Sequence, residues 1–332
     1  MRHSHDRMPG ITREKKGLGW AYFDPAAKRI TDRAEIDRLN AIALPPAYVD
    51  AWFCSHADGH LQATGVDARG RKQYRYHNDF RARRDKSKFG SMIDFGAALP
   101  KVRKQVETDL KKRSLGRDTV LAAVVRLLDT QHIRIGNEQY ARTNKSFGAT
   151  TLRNRHLVKS GNKLKMKFTG KHGIVHEVAV TDANLKRIVA KCQDLPGQNL
   201  FQYVGDDGEP HAITSADVNA YIREASGGEY TAKSFRTWGA SVIAFEQMLA
   251  KEDGERLSVK TMVEPVAEAL GNTVAMSRKA YVHPRLIEAV QAAPRDALAR
   301  FKRPRARRYL SACEAALIAH LKTKPPRAKK AA

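Results

Sequence analysis

The spacing of apolar residues changes period twice along this 332-residue chain, and that limits what it can fold into. Between Phe95 and Ile133 the apolar residues recur every three to four positions, as in Leu121, Val124, Val125 and Leu128, the stripe of a helix buried on one face. Helices are expected over 95–110 and 118–133, the second with Asp118 as N-cap and Gly136 marking its end. From residue 151 the period falls to two: Leu164, Met166 and Phe168 alternate with Lys163, Lys165 and Lys167. Successive strand side chains point to opposite faces, so the apolar set packs and the lysines face water. Three antiparallel strands are expected over 151–158, 163–168 and 174–180, joined by Ser160-Gly-Asn and Gly170-Lys-His-Gly173. After Thr181 the helical period returns. Thr214 and Asp217 in capping-box spacing open one helix, and Thr231 opens another that carries Phe235, Trp238, Val242, Phe245 and Leu249. Gly271 ends the next helix, and Pro284 begins a further one.

The first ninety residues read differently. Trp20, Tyr22 and Phe23 form a strand, and a helix over 32–43 places Ile36, Leu39 and Ile42 on one face until Pro45-Pro46 stops it. Ala51-Trp-Phe-Cys54, the run 59–65 and the run 71–77 are further strands. Residues 1–16 are polar, with His3 and His5, and a disordered start is expected there rather than a metal site. The basic run 81–88 has little apolar content and marks a hinge, so domains are expected over 1–90 and 91–332. The fold class is α+β: a small N-terminal β-sheet domain followed by a larger, mainly helical one.

Sixty lysines and arginines against 35 acidic residues leave a net charge of +25, spread over the whole length. Its natural partner is a polyanion. No apolar run approaches the roughly 18 residues of a spanning helix, and no N-terminal signal pattern is present, so nucleic acid is favoured over a membrane. Cys54, Cys192 and Cys313 lie far apart, which indicates neither a disulfide framework nor a zinc site and fits a reducing cytoplasm. The tail from residue 302 is basic and broken by Pro304, Pro325 and Pro326; it suits loose phosphate attraction, or a solvated helix with a frayed end.

Within 71–77, Gln73, Arg75 and His77 share one strand face, and Tyr74 and Tyr76 the other. Arginine and glutamine read base edges, Arg71 and Lys72 can hold phosphates, and aromatic rings pack on sugars and methyl groups. Tyr281 stands in a basic neighbourhood with Arg278, Lys279 and Arg285. A phenol, with a pKa near 10, needs such cations to act as a nucleophile. Arg134 lies at a helix end, Lys171 at the tip of a glycine-flanked turn, and Arg236 one residue off a core stripe at the edge of a cleft, with Lys233 sharing that edge. His172 and His176 fall on a hairpin and do not share a face as a helical zinc pair would.

In order, Ile-Arg134-Ile-Gly-Asn, Gly-Lys171, Lys-Ser-Phe-Arg236-Thr-Trp, Asn272 and Ser-Arg-Lys-Ala-Tyr281-Val-His-Pro-Arg closely resemble the catalytic signature of type IB DNA topoisomerases, in particular the small bacterial and poxvirus-like branch. Residues 59–65 and 70–77 look like that branch's N-terminal domain, and 144–152 is similar to a segment of its catalytic domain. The resemblance implies the topoisomerase IB/tyrosine recombinase type of catalytic fold and relaxation of positive and negative supercoils. It implies that Tyr281 attacks a backbone phosphodiester, forming a 3′-phosphotyrosyl link and expelling a 5′-hydroxyl. Arg134 and Arg236 would clamp the non-bridging oxygens and Lys171 would protonate the leaving oxygen, with religation needing neither ATP nor metal and no small-molecule cofactor. Double-stranded DNA is the implied partner, held by a monomer that clamps the duplex; a cytoplasmic, nucleoid-associated enzyme is expected. Many relatives carry histidine where this chain has Asn272. An amide donates a hydrogen bond to a phosphate oxygen but carries no charge. Two alternatives stand beside this reading. A tyrosine recombinase shares the covalent step but typically has a His-x-x-Arg box where this chain has Lys233-Ser-Phe-Arg236. A basic architectural protein would bind DNA without needing Tyr281.

Overall fold

The computed structural model describes residues 1–161, 163–251, 255–295, 297–298 and 304–323. It separates into two compact units, Met1–Gly90 and Ser91–Ala332.

In the first unit, β1 (Thr12–Lys16) pairs antiparallel with β2 (Gly19–Phe23). Then come α1 (Arg33–Ala41), β3 (Val49–Phe53), β4 (Leu61–Val66), β5 (Lys72–Tyr76) and α2 (Asn78–Gly90). Strands β3, β4 and β5 form one antiparallel sheet in that order. Ile11, Tyr22, Leu39, Leu44, Phe53 and Ala63 are buried together as its core. Asp32, expected inside the helix, instead caps α1 by accepting from the Ala34 N–H. Two further expectations need correction. The polar start is ordered: Ser4 is buried, its hydroxyl donates to the Leu61 carbonyl at 3.0 Å, and the Leu61 N–H donates back to it at 3.1 Å. Composition does not register such a segment because its partners are backbone groups. The basic run 81–88 is no open hinge but part of helix α2, whose end is where the two units divide.

The second unit opens with α3 (Met92–Lys111) and α4 (Arg117–Gln131), followed by α5 (Glu138–Asn144). Gly116, not Asp118, is the N-cap of α4; Asp118 lies in its first turn, beside the Lys112 ammonium. The helix ends at His132, whose left-handed backbone (φ 51°) terminates it before Gly136. Strands β6 (Leu157–Ser160), β7 (Lys163–Thr169) and β8 (Val175–Val180) form an antiparallel sheet in sequence order. The first strand is shorter than its sequence suggests, because 149–151 and 154–156 are single 3₁₀ turns. Leu164, Met166 and Phe168 are buried, as the alternation requires. The chain continues through α6 (Ala183–Gln193), the small hairpin β9 (Gln202–Val204) and β10 (Pro210–Ala212), and α7 (Ser215–Ser226). Thr214 and Asp217 close the expected capping box on α7.

Next are α8 (Ala232–Ala250), α9 (Val259–Leu270), α10 (Val274–Ala280), α11 (Pro284–Ala292) and α12 (Ala312–Lys322). The last corrects the reading of the tail as solvated: Ala316, Leu317 and Leu321 are buried, and Glu314 joins an internal ion network. Residues 302–303 and 324–332 of that basic tail lie outside the described residues, as does Asn162 of the Ser160-Gly-Asn turn.

Candidate active site

Four chain segments bring Arg134, Arg236, Asn272 and Tyr281 together. Arg134 follows the end of α4, and its backbone is pinned by the segment 148–151: the Ala149 N–H donates to the Arg134 carbonyl and the Thr150 N–H to that of Ile135, each at 2.8 Å. The approach is so close that a Cβ on Gly148 would lie 2.6 Å from the Gly136 nitrogen, so glycine is required there. This gives the run 144–152 a physical purpose: it is the bracket that holds Arg134.

Arg236 sits on α8 and is buried at 4% exposure, inside the protein rather than at a cleft edge. Its guanidinium donates to the carbonyl of His132, the C-cap of α4, and at 3.0 Å to the carbonyl of Leu270, the last residue of α9. Helix C-termini leave carbonyls without intrahelical partners and carry partial negative charge, so two helix ends make a seat for one cation. Both ends terminate with left-handed residues, His132 and Gly271 (φ 56°), which stop each helix where its carbonyl meets Arg236. Burial, then the nearby Arg134 charge, lower the Arg236 pKa to about 10, which leaves the group charged at neutral pH. Its Nε is buried without a hydrogen-bond partner among the described residues.

Asn272 follows Gly271. Its Oδ1 accepts from Arg134 Nη2 at 2.7 Å, and its Nδ2 is buried without a partner among the described residues. A buried N–H without an acceptor costs about 1–3 kcal/mol, and an incoming anion would relieve it. Arg236 Nε and Asn272 Nδ2 therefore form a donor set awaiting acceptors.

Tyr281 caps the C-terminal end of α10, its N–H donating to the Ser277 carbonyl at 3.0 Å. Ser241 on α8 holds the next turn: its hydroxyl accepts from the His283 N–H at 3.0 Å and lies 3.4 Å from the Tyr281 carbonyl. The phenol ring has the Arg236 guanidinium carbon 5.3 Å from its centroid. Burial by itself raises the phenol pKa, but the charges of Arg236 and Arg134, hydrogen bonding from Arg236 and the Lys233 charge outweigh it, and the net shift is downward. The phenolate is thus more accessible here than in water.

The remaining candidate residues fall elsewhere. Lys171 is exposed on the turn between β7 and β8, and Arg278 is exposed on α10. Arg285, expected to charge the Tyr281 neighbourhood, instead donates to the carbonyls of Leu321 and Thr323 and ties α11 to the end of α12. In the first unit Tyr74 and Tyr76 stack with ring centroids 6.3 Å apart, Tyr74 being 49% exposed. Arg71 and Gln73 both donate to Asp67, Lys72 pairs with Asp6, and Arg75 donates to the Ala43 carbonyl. Nothing in the sequence marks His132, Leu270 or Ser241, whose contributions are backbone carbonyls or a single hydroxyl. Among the described residues no group of three or more His, Cys, Asp or Glu could hold a metal ion, and no helix is long and apolar enough to cross a membrane.

A half-buried tyrosine beside one arginine, with a second arginine and an amide donor bonded to each other close by, defines a site for a tetrahedral anion beside an acidified phenol. Residues 77–302 match the family of the eukaryotic DNA topoisomerase I catalytic core, and residues 19–67 that of the bacterial DNA topoisomerase IB N-terminal domain. The chain belongs to the type IB DNA topoisomerases and is an isomerase that acts on DNA. It is 31% identical over 300 residues to DNA topoisomerase 1B of Acanthamoeba polyphaga mimivirus, covering 86% of this chain and 89% of that protein. It is 24% identical over 247 residues to DNA topoisomerase 1B of Vaccinia virus (strain Copenhagen), covering 74% and 76%. Among solved structures, the XerH site-specific recombinase bound to palindromic difH substrate in a post-cleavage complex aligns with a TM-score of 0.38 at 17% identity, over 58% of this chain and 50% of that one.

Proposed function

We propose that Tyr281 is the nucleophile of this topoisomerase. Its Oη forms a bond to a backbone phosphorus, the bond from phosphorus to the 5′-oxygen breaks, and the strand is held as a 3′-phosphotyrosyl ester. The phenolic proton passes to solvent, and Lys171 gives a proton to the departing 5′-oxygen. Arg134, Arg236 and Asn272 hold the non-bridging oxygens, where charge grows as phosphorus becomes pentacoordinate. Because one phosphoester replaces another, religation by the 5′-hydroxyl needs no ATP. The observation that carries this reading is the phenol of Tyr281 beside the Arg236 guanidinium, its acidity raised by that charge together with those of Arg134 and Lys233.

The unit Met1–Gly90 acts as a DNA-binding domain and the second as the catalytic domain. Tyr74 and Tyr76 offer aromatic faces to the duplex. Gln73, Arg71, Lys72 and Arg75 exchange their internal partners for bases and phosphates, and Lys233 and Arg278 add phosphate contacts near the scissile bond. One copy of the chain clamps the duplex and swivels it in either direction, among the DNA of the cytoplasm. The test is relaxation of negatively and of positively supercoiled plasmid in EDTA without ATP. Wild type should relax both, and Tyr281→Phe should bind plasmid equally and relax neither. Plasmid that stays supercoiled while wild type is bound to it would sink the proposal.

A further inference from the structure

His176 lies on the inner face of β8, in alternation with the buried Val178 and Val180, where the strand pattern calls for a hydrophobic residue. Its ring stacks on Phe168 of β7, with centroids 5.2 Å apart and planes inclined by 19°. Two glycines flank its far edge. A Cβ on Gly170, which precedes Lys171, would lie 2.6 Å from His176 Cδ2 and 2.7 Å from Nε2. A Cβ on Gly271, which precedes Asn272, would lie 2.8 Å from Cε1, and 3.2 Å from the Ile174 side chain of the same hairpin. All three distances to the ring are closer than such atoms pack, so the imidazole occupies space that only two glycines leave open. Gly170 has φ −92°, a backbone any residue adopts, so the ring and not the backbone demands glycine there.

We propose that His176 is a positioning residue: its imidazole, wedged between Gly170 and Gly271, docks the hairpin that carries Lys171 onto the turn that carries Asn272. The inference rests on the reading of Lys171 as the proton donor. Burial, then the charges of Arg134 and Arg236, lower the His176 pKa, so the wedge is a neutral ring and adds no positive charge to the two arginines. Without it, the exposed turn 171–173 loses the contact that sets its distance from the phosphate-binding donors.

The experiment compares single-turnover cleavage of two duplexes, one with the normal 5′-oxygen at the scissile bond and one with sulfur in its place. A thiol, with a pKa of about 8.5, leaves without a donated proton, so the sulfur substrate bypasses the task assigned to Lys171. His176→Ala should bind DNA as wild type does. It should cleave the oxygen substrate about 10²-fold more slowly, within the contribution of general acid catalysis, yet cleave the sulfur substrate at close to the wild-type rate. Gly170→Ala should reproduce the loss in the wild-type background and add nothing in the His176→Ala background, because the clash is then gone. Equal rates for wild type and His176→Ala on the oxygen substrate, or equal losses on both substrates, would overturn the proposal. If wild type itself cleaves neither duplex, the assignment of Tyr281 and Lys171 falls, and this inference with it.

Discussion

Asn272 shows how much one uncharged side chain can contribute when its surroundings are arranged for it. Arg134 engages its oxygen and leaves its amide nitrogen buried without a partner among the described residues, so on the proposed reading the nitrogen is already dehydrated and aimed at the phosphate. Such a donor loses little to reorganisation, which is where most of an electrostatic contribution is won or lost. Asn272→Ala is therefore expected to slow single-turnover DNA cleavage by about 10²–10³-fold with DNA affinity nearly unchanged. A loss under tenfold would mean that the arginines carry the transition state alone. Arg236 presents the complementary case, a buried cation whose charge is balanced by two backbone carbonyls instead of a carboxylate. A carboxylate there would compete with the proposed phosphate for the guanidinium, whereas carbonyls orient it and leave its charge uncompensated by an anion.

At the scale of elements, α8 is the platform of the site, since it carries both Arg236 and Ser241, and α12 secures it. Trp238 Nε1 donates to Glu314 Oε1 at 3.0 Å, and Glu314 in turn receives two 2.8 Å bonds from Arg103 of α3, which also grips Asp129 of α4. Glu314 is 6% exposed, and removing one partner of such a network strands a buried charge. Glu314→Ala should cost about 3–5 kcal/mol in urea unfolding followed by tryptophan fluorescence, and a change under 1 kcal/mol would show that the network is dispensable. Burial by itself raises the Glu314 pKa, but its bonds to Arg103 prevail and the net shift is downward. A carboxylate with a depressed folded pKa contributes stability above its unfolded pKa, and that stability is lost as pH falls through the folded value. The stability gap between wild type and Glu314→Gln should therefore narrow as pH drops below about 4.3, and a gap independent of pH would remove the ion network from the account.

At the scale of the whole molecule, the excess of positive charge is not confined to the catalytic neighbourhood but runs through both units. An enzyme that must hold a duplex while one strand is open gains from phosphate contacts spread along it. Binding to duplex DNA should weaken steeply with salt, with log affinity falling against log salt at a slope of roughly −0.9 per phosphate neutralised. Affinity flat between low and physiological salt would contradict phosphate-dominated binding. Tyr281→Phe is the protein for that titration, because it separates binding from cleavage.

Most of the helices of the second unit, its three-stranded sheet and the family resemblance were legible because their signals are local. A period of two against lysines announces strands, an aspartate or threonine before a stripe announces a helix start, and the order of Arg134, Lys171, Arg236 and Tyr281 carries the family resemblance in short runs of sequence. Where a local rule was met twice within a few residues, as with Gly116 and Asp118 or His132 and Gly136, the boundary was set by packing instead. What only the tertiary structure decided depends on groups distant in sequence meeting in space. The ordered start exists because Ser4 finds Leu61, α12 is internal because Glu314 finds Arg103, and Arg285 faces the end of α12 rather than the phenol. The seat of Arg236 is built from carbonyls, which every residue possesses, so no pattern of side chains could mark His132 or Leu270. Sequence by itself determined which chemistry the chain carries; the fold decided which cations reach the phenol, because charge acts through distance and burial, and neither is written along the chain.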